Sequence, residues 1–274
     1  DPRSSQVDIV QAVGRAIRKS DNKTTGTIVL PVFIEDVNNA EESLQSGNFK
    51  PIWGVLNALK SHDETLSLEL GQLRTNLGRQ GAGGSVGSLP DKIVFDLPKT
   101  VDKSFSDALK TIVIDKTTDS WEFWYGLLLS YFSENGDTLT SRKYKTSCGH
   151  SLGAWLGEQR RKKLSGVISI EREKKLNDLD FIWDVNEYRW SEGYEYLKQY
   201  VKENGNSLVS REFVTNKVKL GSWVRTQRHL ETDKKLSQDR LQKLNNIGFI
   251  WDVNEYQWNE GYKHLKQYVK DNGN

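Results

Sequence analysis

Methionine is absent from the chain and cysteine occurs once, at Cys148. A single cysteine cannot close an internal disulfide, and that usage fits a reducing, cytoplasmic compartment. Long apolar runs are missing as well. None approaches the ~18 residues needed to span a bilayer, and no stretch reads as a secretory leader, so neither a leader nor a membrane partner is expected. The four histidines are scattered, and Cys148 with His150 lacks the second pair that a zinc site requires, so no metal ligands are assigned. No arrangement of Ser, His and Asp suggests a catalytic triad. The chain begins Asp1-Pro2 without an initiator and stops at DNGN directly after a helix-like pattern, so both ends read as edges of a fragment.

What is present suits a folded protein. The 274 residues are 36% hydrophobic and 28% charged, with nine tryptophans. That length allows about two domains, and the aromatic content argues against disorder. Net charge is only +2, but it is unevenly placed. The stretch Arg142–Lys175 carries +7 and Arg211–Lys243 carries +5, leaving −10 on the remainder. Nucleic acid responds to such local basic patches more than to a total.

Internal repetition is the strongest signal. FIWDVNEYRWSEGYEYLKQYVKENGN (181–206) returns as FIWDVNEYQWNEGYKHLKQYVKDNGN (249–274), identical at 21 of 26 positions. LGAWLGEQR (152–160) aligns with LGSWVRTQR (220–228), and Leu176, Phe181 and Trp183 align with Leu244, Phe249 and Trp251. An older copy begins near Trp121, with Trp121, Tyr125, Leu128, Tyr131 and Gly136 matching Trp190, Tyr194, Leu197, Tyr200 and Gly205. Trp190, Tyr194, Leu197 and Val201 fall at helical spacing, and Gly205 sits where a helix would stop. Further helices are marked by Leu220, Trp223, Val224 and Gln227, and by Leu241, Leu244 and Ile247. Each unit therefore reads as a small helical bundle whose Trp, Tyr and Leu positions form its core.

The region before the repeats reads differently. A helical pattern over 7–19 contains Gln11, Gly14, Arg15 and Arg18 as Q-x-x-G-R-x-x-R. Arg15 and Arg18 share one helix face and suit a phosphate. TGTIVLPVFIED follows and reads as a buried strand, the order expected of an α/β domain with a site at its sheet edge. A helical pattern then spans about Ile52 to Arg79, GAGGSVGS (81–88) has the composition of a flexible linker, KIVFDLP reads as extended, and SFSDALKTIVI as a helix.

QAVGRAIRK followed by GTIVLPVFIED resembles motif VI and the next strand of a bacterial superfamily 2 helicase of the DEAD/DEAH type. The repeats, with W-x-x-G-Y, LG-x-W-x-x-x-QR and F-I-W-D, resemble the helicase-associated domains found in tandem behind such motors. The matches cover residues 6–36 and 120–274. The resemblance implies that Arg15 and Arg18 reach toward the γ-phosphate and stabilise transition-state charge, with Gln11 and Gly14 on the same nucleotide-facing surface. It also implies that the repeats bind DNA or RNA. ATP and Mg²⁺ would belong to the intact parent. No cofactor is expected for this chain alone, because it has no G-x-x-x-x-G-K-[ST] to cradle phosphates. HDET (62–65) follows a helical stretch rather than a buried strand and reads as a solvated helix or loop. The motor's N-terminal domain would lie upstream as a partner.

The basic helices supply the candidate phosphate contacts: Arg160, Arg161, Lys162 and Lys163 in the first unit, Arg225 and Arg228 in the second. Trp155 and Trp223 would anchor the apolar sides, leaving the cations outward. The expected fold is predominantly α, with a partial RecA-like α/β remnant at the N-terminus followed by tandem all-α bundles. The expected division is 1–80 RecA-like remnant, 81–119 connecting segment, 120–187 and 188–255 the two repeats, and 256–274 the truncated start of a third. The chain thus reads as the C-terminal portion of an ATP-dependent helicase. The alternative is a non-catalytic module that binds nucleic acid or a partner protein through the repeats.

Overall fold

The computed structural model describes residues 26–34, 40–45, 47–81, 84–216 and 218–273. Among them the chain is predominantly α-helical. A boundary between Phe181 and Ile182 separates two units.

In the first unit, α1 (Ala40–Gln45) and a 3₁₀ turn lead into α2 (Lys50–His62), α3 (Glu64–Gln80), α4 (Lys103–Thr117), α5 (Ser120–Asn135), α6 (Leu152–Leu164) and α7 (Ile170–Asn177). Leu44, Phe49, Ile52 and Leu56 pack against Phe105, Leu109 and Val113. A second cluster joins Leu66, Leu70 and Leu77 to Val86 and Ile114. The second unit holds α8 (Val185–Asn204), α9 (Leu220–Thr232), α10 (Gln238–Asn246) and α11 (Val253–Asn272). Its core is Trp190, Leu197, Val209, Leu220, Val224, Leu244 and Phe249. None of the α11 residues is buried.

Acids and glycines set the helix ends. Asp102, Asp119 and Asp184 are N-caps whose carboxylates accept from first-turn amides of α4, α5 and α8. Those amides have no partner within the helix, so each cap satisfies an otherwise orphaned donor. The helices α5 and α8 stop at Gly136 and Gly205, at φ 76° and 74°. Glycine enters that left-handed conformation without a Cβ clash.

Three expectations for the region before the repeats change. The helical pattern over 52–79 is two helices, because Asp63 turns extended and its carboxylate caps α3 by accepting from the Leu66 amide. The run 26–34 is not a buried strand: it makes no ladder, and Val29 and Phe33 are exposed. A strand needs a neighbour for its backbone groups, and the one β pairing among the described residues is the isolated Thr215–Val218 bridge. Instead Ile28, Val32 and Ile34 lie on helices, as Ile93, Phe95 and Leu97 do in a second extended run. The α/β remnant is therefore not seen among the described residues. The glycine-rich 81–88 segment is anchored where it is described, since Val86 is buried and the Ser85 amide donates to Gln80.

The helices α3 and α5 cross where Gly78 meets Gly126. A Cβ at Gly126 would lie 2.0 Å from the Thr75 carbonyl oxygen, backbone that cannot swing aside. Gly126→Ala should therefore lower stability by about 1–3 kcal/mol, the usual cost of overpacking, despite alanine's better helix propensity. A Cβ at Gly157 in α6 would meet nothing within 4 Å, so Gly157→Ala should be neutral or mildly stabilising when both variants are compared by urea unfolding.

Candidate nucleic-acid interface

One pattern of contacts is built twice. The indole of Trp121 on α5 donates to Gln159 on α6 at 3.0 Å, and that of Trp190 on α8 donates to Gln227 on α9 at 3.0 Å. Tyr125 and Tyr194, one turn on, stack against these indoles and donate to the carbonyls of Lys175 and Lys243. Two cations from the third helix of each repeat, α7 and α10, cover the indole: Arg172 and Lys175 over Trp121, Arg240 and Lys243 over Trp190. Arg172 is held by Asp119 at 2.5 Å and Arg240 by Glu187 at 2.6 Å. The Trp121 amide lowers the Asp119 pKa most, and Arg172 adds to that against the opposing effect of burial. Each tryptophan thus ties three helices together through one hydrogen bond and two cation–π contacts.

The basic helices divide by direction. Arg160 donates to the Thr138 carbonyl at 3.2 Å and covers the Phe181 ring. Its counterpart Arg228 donates to the carbonyls of Ser207 and Ile250 and covers Phe249, and burial lowers its pKa. Both guanidiniums turn into their units and hold the loop and the chain segment that flank them. The expectation that all the cations point outward fails at these two positions. Helical spacing assigns a face to the Cα, but a long side chain can curl back over its own unit.

Of the other candidates, Arg161 and Arg225 are exposed, and Lys162 and Lys163 are half-buried. Arg161 is exposed and paired with Glu158 at 2.6 Å, a surface pair worth little. Lys163 pairs with Glu173 at 2.9 Å. Lys162 is half-buried, near enough to lower the pKa of Asp119 and Glu158, and Arg225 is exposed. Arg161, Lys162 and Lys163 occupy the last turn of α6, where cations also suit the helix dipole. Arg142, Lys143 and Lys145 add three exposed cations on the loop preceding α6. Gln11, Gly14, Arg15 and Arg18 lie outside the described residues.

Comparison with protein families matches residues 118–184 and 187–252 to the helicase associated domain. The two matched stretches stand in tandem. Comparison with curated proteins and with solved structures found no match. The helices α5–α7 fall in the first matched stretch and α8–α10 in the second, each with its tryptophan clamp. Among the described residues, no helix is long and apolar enough to cross a membrane.

Sequence reasoning passed over the clamp partners. Gln159 and Gln227 recur at one position of the repeated LG-x-W-x-x-x-QR, and a polar residue repeated inside a core motif signals a buried hydrogen bond. Lys175 and Lys243 likewise precede the aligned Leu176 and Leu244. The loop cations Arg142, Lys143 and Lys145 fell inside the basic stretch but were not singled out.

Proposed function

We propose that this chain is the nucleic-acid-binding C-terminal part of an ATP-dependent helicase. The observation that carries the reading is the tandem match to the helicase associated domain, with Arg161 and Arg225 exposed and Lys162 and Lys163 half-buried at the surface beside Arg161. Cations on repeated modules suit a polymer of regularly spaced phosphates, and such contacts give affinity with little sequence dependence. In this reading Arg160 and Arg228 hold the fold and do not touch phosphate. Arg142, Lys143 and Lys145 extend the basic surface of the first domain.

The motor half of the reading rests on the Q-x-x-G-R-x-x-R motif. Arg15 and Arg18 would complete an ATP site whose phosphate loop and Mg²⁺ ligands belong to the rest of the motor. This chain has no phosphate-loop motif and by itself does not fit ATP.

The test is direct binding. The whole chain should bind a short labelled duplex or a labelled single strand saturably at low salt, and added salt should release it. If it binds neither at low salt, the nucleic-acid role is wrong.

A further inference from the structure

The last helix, α11, repeats α8 but sits in the opposite environment. Trp190 is 5% exposed and Leu197 is 0% exposed, whereas Trp258 and Leu265, at the same positions, are 74% and 57% exposed. Tyr262, Tyr268 and Val269 are exposed with them and correspond to Tyr194, Tyr200 and Val201, which line the second unit's core. Five positions differ between the two helices. Arg189, Ser191, Glu195 and Glu203 are exposed on α8, and Tyr196 is half-buried. Apart from Tyr196, which packs against the edge of the core and is His264 on α11, every core residue of α8 is thus retained in α11.

The retained set specifies its occupant. On α8, Gly193 lies flat against the Trp223 ring, where an added Cβ would sit 2.4 Å away, while Gly261 at the same position of α11 meets nothing within 4 Å. The Trp190 indole is satisfied by a glutamine and covered by two cations. Glu187 receives Arg240, and Glu255 stands ready at its place on α11. The face is therefore complementary in shape and charge to a longer helix carrying Trp and Gln, followed by a short basic helix.

We propose that the Trp258–Tyr262–Leu265–Val269 face of α11 is a docking site for a further helix pair of the α9–α10 kind. A second copy of this chain does not supply it. That copy's α9–α10 pair already holds α8, and displacing α8 would uncover an equivalent apolar face, so exchange between copies brings no net burial. The docking is independent of nucleic-acid binding.

The register provides the test. Gly273-Asn274 corresponds to Gly205-Asn206, so a second copy of residues 207–252 can be joined directly after Asn274. Amide hydrogen exchange in α11 should slow at least about tenfold in the extended chain, because its opening would then require undocking. Trp258→Ala in the extended chain should restore most of the fast exchange, while the same substitution in the 274-residue chain should change little. Equal α11 exchange in the two parent chains overturns the proposal. So does a stable dimer of the 274-residue chain that Trp258→Ala dissolves, since a second copy would then be the occupant.

Discussion

Trp190→Ala is expected to lower the stability of the second unit by about 3–5 kcal/mol, the range for deleting a large buried aromatic. Trp258→Ala should change it by no more than about 0.5 kcal/mol, as for an exposed residue without partners of this kind. The two tryptophans occupy equivalent positions in stretches identical at 21 of 26 residues, so local propensity cancels from the comparison. What differs is the setting. The Trp190 ring lies under Arg240 and Lys243 and is tilted against Trp223, and its loss strands the Gln227 side chain in the core. A buried polar group left without its partner adds about 1–3 kcal/mol to the cavity cost. Urea unfolding of both variants, followed by circular dichroism, measures the contrast. Equal losses would mean that α11 is as well covered as α8.

The repeats were legible because their anchors are large and regularly spaced. Trp190, Tyr194, Leu197 and Val201 share one helix face whatever that face meets. What it meets is not a local property, and so α8 and α11 read alike yet differ in burial. The strand reading of 26–34 failed for a related reason. A continuous apolar run suits a buried strand, but the same run serves a segment lying on helices, as Ile28, Val32 and Ile34 do. The break at Asp63 was hidden because the apolar pattern resumes on its far side, at Leu66 and Leu70. Among the cations, sequence gave position without direction. Arg160 and Arg161 are neighbours, yet one covers Phe181 and the other faces solvent beside Glu158.

That division of the cations predicts two separable losses. Replacing Arg161, Lys162, Lys163 and Arg225 by Gln removes four surface charges and should leave folding nearly intact. On duplex DNA each neutralised phosphate contributes about −0.9 to the slope of log K against log salt. The four substitutions should therefore flatten the slope by up to about 3.6. At full contact, those four residues account for about a hundredfold loss of affinity between ~50 and ~200 mM salt. Arg160→Ala and Arg228→Ala should do the reverse. Each removes hydrogen bonds to carbonyls and a cation over an aromatic ring, and should cost about 1–3 kcal/mol of stability. The slope should stay where it was, because those guanidiniums are turned away from any bound phosphate.

The most direct measurement is a salt titration of duplex binding by the whole chain, run beside the fourfold Gln variant and the Arg160→Ala/Arg228→Ala pair at a temperature where all three remain folded. The account predicts a flatter slope for the Gln variant and a wild-type slope for the inward pair. A wild-type slope in the Gln variant, or a slope lost only with Arg160 and Arg228, would contradict it.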